Sequence, residues 1–172
     1  MALINKILPG YVATIWCQDD ATPTPFTVTQ LGTWANIETI IGTSAGGTGT
    51  AGIQIPVEAV PAWGSDDAFV AYSVAGERTG SKITTQNQVT SMTITCPWNP
   101  ADTAQLLMRD DGYNGTIIRT YVCAVYDGTE TVAYAFNGRI GGLKWDMAPS
   151  AEGKFEFTIH PTGGNEYGWS NS

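Results

Sequence analysis

The residues able to do chemistry are few and poorly placed for it. His160 is the only histidine in the chain, which excludes a histidine-rich metal centre and any relay of several imidazoles. A Ser/His/Asp triad would have to use it, yet no Gly-x-Ser-x-Gly elbow exists and Pro161 is its neighbour. Gly47-Thr48-Gly49-Thr50-Ala51-Gly52 has the Gly-x-Gly-x-x-Gly spacing that lets a pyrophosphate approach backbone amides at the start of a helix. Ile53-Gln54-Ile55-Pro56 follows and cannot open a helix, so the motif reads as a flexible loop. Gly76-Glu77-Arg78-Thr79-Gly80-Ser81-Lys82 lacks the spacing of a phosphate-binding loop and reads as an exposed turn.

Other candidates fare no better. Asp19-Asp20, Asp66-Asp67 and Asp110-Asp111 are adjacent pairs at expected turns. Neighbouring strand side chains point to opposite faces, so such pairs do not converge like hydrolytic carboxylates, and solvated or capping roles are expected. Asn114-Gly115-Thr116 fits a glycosylation acceptor but reads as an Asn-Gly turn. Cys17, Cys96 and Cys123 are odd in number, widely spaced and set in apolar runs, where cysteine behaves as a small buried hydrophobe. The six tryptophans are scattered, which suits core or interface packing better than a sugar platform. The expectation is no catalytic residue, no cofactor site, no metal site and no enzyme.

The elements that would have to position any site are mostly strands. Tyr11–Gln18 is rich in β-formers and is closed by Asp19-Asp20 and the prolines of Thr22-Pro23-Thr24-Pro25. Phe26–Leu31 reads as a strand, and Ile37–Ile41 is a further apolar run leading into Gly/Thr-rich chain. A long loop is expected over 42–62. Ala68–Val74 reads as a strand. Gln88–Cys96 alternates cleanly, with Val89, Ser91, Thr93 and Thr95 on one face and Met92, Ile94 and Cys96 on the other. Asn99 and Pro100 suit the start of a helix whose apolar stripe is Ala101, Ala104, Leu107 and Met108, with Gly112 as its stop. Ile117–Tyr126 and Thr131–Phe136 flank Asp127-Gly128, a hairpin signal. Leu143–Met147 is a short run. Lys154–His160 is expected to be the last strand, with Phe155, Phe157 and Ile159 opposite Glu156, Thr158 and His160, and 163–172 a polar tail.

Composition agrees. The chain has 172 residues with 8 Lys and Arg against 16 Asp and Glu, a formal net charge of -8, 42% apolar residues and 14% charged residues. That length suits one domain spanning 1–172. The apolar fraction is too high for a disordered acidic chain, and the charge balance opposes a protein that grips phosphates through clustered Lys and Arg. No window reaches the apolar length of a membrane span, and the first residues do not form a secretory signal, so synthesis and folding in a cytoplasm are expected.

Taken together, Val89–Pro97, the helix over Pro100–Asp111, the hairpin at Asp127-Gly128 and the closing run from Phe136-Asn137-Gly138-Arg139-Ile140 through Met147-Ala148-Pro149-Ser150-Ala151-Glu152-Gly153 to His160-Pro161-Thr162-Gly163 resemble the major tail proteins of long-tailed bacteriophages. The resemblance covers roughly the C-terminal half. It implies a mainly β, tail-tube-type β-sandwich with one flanking α-helix, whose inner sheets join into a continuous barrel in a hexameric ring. Rings would stack into the virion's tail tube, a conduit for DNA ejection into the host that DNA crosses without specific binding. Implied partners are further copies of the chain and tape measure, tail terminator and baseplate or tail tip proteins, with no membrane; assembly would take place in the host cytoplasm. An acidic, donor-poor lumen would repel phosphates. Either the Glu156, Thr158 and His160 face or the Ser91, Thr93 and Thr95 face would line it. Gly46, Gly47, Gly49 and Gly52 would lie in a loop that orders between rings. The alternatives are a tube protein of a contractile injection or type VI secretion system, or a carbohydrate-binding or capsid-decorating β-sandwich.

Overall fold

The computed structural model describes residues 13–72, 81–149 and 151–171. The elements in chain order are β1 (Ala13–Gln18), α1 (Val28–Leu31), α2 (Trp34–Ile40), a 3-10 turn (Thr43–Ala45), β2 (Gly52–Ile55), β3 (Ser65–Tyr72), β4 (Ser81–Val89), β5 (Met92–Pro97), α3 (Thr103–Asn114), β6 (Arg119–Tyr126), β7 (Thr131–Asp146) and β8 (Lys154–Asn171). Six strands form one antiparallel sheet in the order β2-β1-β6-β7-β8-β5, and β3 and β4 form a separate two-stranded ribbon.

The two edges of the large sheet share one core. Ile15, Cys17 and Ile55 of β1 and β2 belong to the same buried cluster as Met92, Ile94 and Cys96 of β5 and Phe155, Phe157 and Ile159 of β8. The sheet is therefore curled, and its two halves face each other as the layers of a sandwich do. Met108 of α3 enters this core, and Val57, Val60 and Trp63 from the link after β2 pack against it. That link also ties the sheet edges together. The Glu58 amide donates to the Thr95 carbonyl at 3.3 Å, and the Glu58 carboxylate pairs with Lys154 at 2.8 Å.

The opposite face of the sheet is treated in two ways. Over β1, β6 and the first half of β7, a second cluster covers it: Trp16, Val122, Ala124, Ala133 and Ala135 pack under Leu31, Ile37, Ile40, Ile41 and Ala45. A polar network fastens the proline-rich connection beside it. Thr120 Oγ donates to Asn137 Oδ1 at 2.8 Å, Asn137 Nδ2 donates to the Phe26 carbonyl at 2.7 Å, and Gln18 Nε2 donates to the Thr24 carbonyl at 3.0 Å. Over the second half of β7, the first half of β8 and β5, no helix covers the face among the described residues.

Several expectations change. Phe26–Leu31 is not a strand: Thr27 and Gln30 form a capping box, each side chain meeting the other's backbone amide, and Val28–Leu31 turns into a helix. The apolar run at Ile37–Ile41 falls mostly within α2. The main helix starts later and ends later than expected, because Asp102 caps it through the Gln105 amide at 2.9 Å and Gly115, in the left-handed region, ends it. Asn114-Gly115 is thus a helix terminus and not a hairpin turn. Gly112 lies inside α3, where a side chain would strike Leu143. Gln88–Cys96 is divided between β4 and β5, with Thr90 and Ser91 outside both. Residues 76–80 of the expected Gly76–Lys82 turn lie outside the described residues, and Ser81 and Lys82 begin β4.

Two further corrections concern the long strands. β7 runs without interruption from Thr131 to Asp146, and a one-residue bulge between Gly141 and Lys144 lets it do so. β8 continues past His160 to Asn171, so the expected polar tail pairs with Thr131–Phe136 of β7. Pro161, which has no amide to donate, falls opposite Gly138 where the register shifts. The hairpin at Asp127-Gly128 forms as expected with a lengthened turn, in which Asp127 Oδ1 accepts from the Thr129 and Glu130 amides.

Candidate functional site

The uncovered half of the sheet carries both faces that the sequence offered as alternatives, and they are one surface. In the β5–β8 ladder Thr93 lies opposite Thr158 and Thr95 opposite Glu156. In the β7–β8 ladder Arg139 lies opposite His160, Gly141 opposite Thr158 and Lys144 opposite Glu156. Ser91, just before β5, meets His160 at 3.1 Å from Oγ to Nδ1. Three cross-strand rows result: Ser91–His160–Arg139, Thr93–Thr158–Gly141 and Thr95–Glu156–Lys144. Strand geometry sets adjacent rows about 7 Å apart and neighbouring strands about 4.8 Å apart.

Alternation explains why these side chains are outside. Met92, Ile94 and Cys96 of β5 and Phe155, Phe157 and Ile159 of β8 are buried, so the residues alternating with them in the pleat must face away. On β7 the parity changes at the bulge. Arg139 and Gly141 face the strip before it, and Lys144 faces it afterwards, which keeps Ile140, Leu143 and Trp145 with the core. Gly142 takes φ +63°, a backbone region that a side chain disfavours.

The rows differ in chemistry. In the middle row the Thr93 and Thr158 hydroxyls bond each other at 3.1 Å, beside the bare backbone of Gly141. In the third, Lys144 Nζ donates to Glu156 Oε1 at 2.7 Å and the two charges cancel. In the first, Arg139 is exposed and makes no ion pair with a described residue. The strip is therefore not the acidic surface that the overall charge suggested. Within these three rows the Glu156 carboxylate is neutralised and an arginine is left over. The next row of the same ladders, Pro97–Lys154–Asp146, adds the exposed Asp146 carboxylate beside Lys154, which pairs with Glu58.

The glycines assigned to a loop between rings sit elsewhere, and they are packed, not slack. A Cβ at Gly46 would meet Thr131 Oγ and Tyr126. One at Gly47 would lie 2.1 Å from the Ile41 carbonyl oxygen, and one at Gly52 would lie 2.0 Å from that of Ile40. Gly49 takes φ +63°. The Thr48 amide donates to the Glu38 carbonyl at 2.7 Å, and the Ala51 amide to that of Thr39 at 2.9 Å. The expectation of a flexible loop is corrected: short residues let the chain lie directly on α2. This segment adjoins the Thr131 end of β7, away from the strip, which begins at Arg139.

A second polar cluster, inside the molecule, escaped the sequence. Arg119 at the start of β6 and Asp111 in α3 are both buried, and the guanidinium donates to the carboxylate from Nε and from Nη2, the latter at 2.9 Å. Nη1 donates to the Gln18 carbonyl at 3.1 Å and to the Asp20 carbonyl. Burial opposes the charge of Arg119, but the hydrogen bonds and charge of Asp111 outweigh it and hold the guanidinium above its ordinary pKa. Asp111 thus has a fixed partner and is not the solvated turn residue expected of an adjacent aspartate pair. Its role is to clamp α3 to the sheet.

Among the described residues no group of three His, Cys, Asp or Glu could hold a metal ion. The Cys17 and Cys123 thiols are pushed up to about 12 by burial, and that of Cys96 to about 11, the opposite of what a reactive thiolate needs. Among the described residues no helix is long and apolar enough to cross a membrane.

No protein-family profile and no curated protein matches the sequence. Solved structures do match. The sheath/tube terminator of the extracellular contractile injection system PVC superimposes with a TM-score of 0.62 at 13% identity, over 96% of this chain and 99% of that one. The chain also matches the PVC sheath-tube complex, with a TM-score of 0.62 at 13% identity over 96% of this chain and 95% of that one. For the SPP1 tail tube the TM-score is 0.57 at 11% identity, over 95% of this chain and 80% of that one. This is the tail tube fold. A curled antiparallel sheet with flanking helices is shared across these tube proteins and this chain at identities too low to carry individual residues. The tail tube fold expected from the C-terminal half thus extends over almost the whole chain, including the segments before β5 that the sequence left irregular.

Proposed function

We propose that this chain is a structural, non-enzymatic subunit of a phage-type tail tube, assembling with its own copies into hexameric rings that stack into a hollow virion tail. The observation that carries the reading is the extent of the fold match: tube proteins superimpose over 95–96% of the chain. In that reading the sheets of neighbouring copies join around the axis and remove exposed edges. The uncovered strip of Ser91, Thr93, Thr95, Glu156, Thr158 and His160 faces the lumen, through which DNA is ejected into the host. The Gly46–Gly52 segment makes contacts between rings. Tape measure, terminator and baseplate or tail tip proteins complete the tail, which assembles in the host cytoplasm.

The test is electron microscopy of the purified, concentrated protein. Long hollow tubes are expected. Material that remains monomeric at every concentration overturns the proposal. A second reading is a terminator, supported by the superposition on the PVC sheath/tube terminator over 96% of this chain and 99% of that one. It predicts assembly that stops at a single ring. For the lumen assignment, a Glu156→Lys tail that ejects at the unchanged rate counts against it.

A further inference from the structure

The first row of the strip is built differently from the other two. Arg139 and His160 are opposed across the β7–β8 ladder, and both are exposed. Directly opposed residues hold their Cβ atoms about 5 Å apart, so guanidinium and imidazole share one patch of surface. Ser91 holds the imidazole at Nδ1, which leaves Nε2 as the free ring nitrogen. A Cβ at Gly141 would lie 3.2 Å from Nε2 and Cδ2, so the ring rests close over bare backbone. The other described cations outside the two-stranded ribbon are occupied. Arg109 pairs with Asp110, Arg119 with Asp111, Lys144 with Glu156 and Lys154 with Glu58. In a chain of net charge -8, Arg139 is an exposed cation without a described carboxylate, set beside an oriented imidazole and a hydroxyl.

We infer that the Ser91–His160–Arg139 row is a contact site for the phosphodiester backbone of nucleic acid. The guanidinium presents a planar set of N–H donors that fits phosphate oxygens. The Ser91–His160 bond leaves one further donor on the same side, the Nε2–H when the hydroxyl donates to Nδ1 or the hydroxyl when Nδ1–H donates to it. The site is sequence-blind, because backbone contacts position a nucleic acid without reading it. It is also weak, since one neutralised phosphate supplies a small fraction of what a dedicated DNA-binding surface does. The inference rests on the tube reading for its setting. There the row repeats once per subunit, forming a belt of arginine beside the Thr93–Thr158 hydroxyls and the cancelled Lys144–Glu156 pair. Such a belt steadies a passing duplex without retaining it.

The experiment is an amide NMR titration of the full chain with a short DNA duplex at several salt concentrations. Saturable shifts are expected at Arg139, His160 and their neighbours on β7 and β8, with log affinity falling with log salt at a slope of about -0.9, the value for one phosphate contact. Arg139→Gln is expected to abolish the shifts, while Lys144→Gln leaves them in place. The spectra of both variants without DNA verify that they are folded. Absence of shifts at this row, or shifts that survive Arg139→Gln, overturns the inference. Shifts produced by a polyglutamate peptide and not by the duplex also overturn it and point to an acidic polypeptide as cargo. Tube formation is read separately by microscopy, so a chain that titrates as expected but never polymerises refutes the tube reading and not the contact site.

Discussion

Replacing Asp111 by Ala tests how much of the fold depends on the clamp between α3 and the sheet. In the native chain Arg119 is 1% exposed and Asp111 2% exposed, and the guanidinium's hydrogen bonds go to the Asp111 carboxylate and the carbonyls of Gln18 and Asp20. Removing the carboxylate leaves a buried cation held by two neutral oxygens, and breaking such a pair costs about 3–5 kcal/mol. For a domain of this size each kcal/mol lowers Tm by about 2–4 °C, so a fall of about 6–20 °C is expected in a thermal melt. Asp111→Leu combined with Arg119→Met removes both charges, and it is expected to melt above the single variant yet below the native chain. The shortfall arises because the Gln18 and Asp20 carbonyls lose their donor, at about 1–3 kcal/mol for each that stays dry. Urea titration gives the free energies for the full double-mutant cycle. A cost below about 1 kcal/mol for Asp111→Ala would show that the pair is solvated and that α3 is held by apolar packing alone, which refutes the reasoning.

Three further outcomes follow from particular contacts. Deleting Gly142 removes the bulge and leaves plain alternation, with Arg139, Gly141 and Lys144 on one face and Ile140, Leu143 and Trp145 on the other. Urea titration is therefore expected to show a smaller loss than for Gly142→Ala, which is strained at positive φ and costs about 1–2 kcal/mol. Gly52→Ala places a methyl group 2.0 Å from the Ile40 carbonyl oxygen, and a loss of about 1–3 kcal/mol is expected on thermal melting. The Cys17 and Cys123 thiols stay protonated in the folded chain up to about 12, while in the unfolded chain they ionise from 9.0. The folded state therefore binds more protons in that window. Stability is intact below pH 9 and declines toward pH 12 by about 1.4 kcal/mol per thiol per pH unit, and substituting either cysteine by Ala reduces that slope in urea titrations across the range.

What could be read from the sequence depended on whether a strand had one wet face. β5 and the start of β8 alternate apolar and polar residues, so their inward and outward faces were legible, and with them the candidate strip. β7 was read as two separate runs because the bulge at Gly141–Gly142 exchanges the parity of its faces. Its apolar residues on the core side are even-numbered up to Ile140 and odd-numbered from Leu143. For that reason Arg139 and Lys144 were not recognised as members of the strip, although their pairing with β8 places them there. α1 and α2 were obscured by residues that favour strands, yet Thr27-x-x-Gln30 was a visible capping signal. Arg119 with Asp111 could not have been found from spacing, since the pair is created when α3 folds back onto β6. The end of β8 is illegible for a related reason: Gly163, Gly164 and a polar composition suggest a tail, and only the partner strand β7 makes them a ladder.

The hydrogen bond from the Glu58 amide to the Thr95 carbonyl, beside the Glu58–Lys154 ion pair, closes the seam between the two borders of the large sheet. A contact made within one chain competes with any incoming strand at an effective concentration in the millimolar range. A strand reaching for the Thr95 carbonyl must therefore displace a partner that is already tethered beside it.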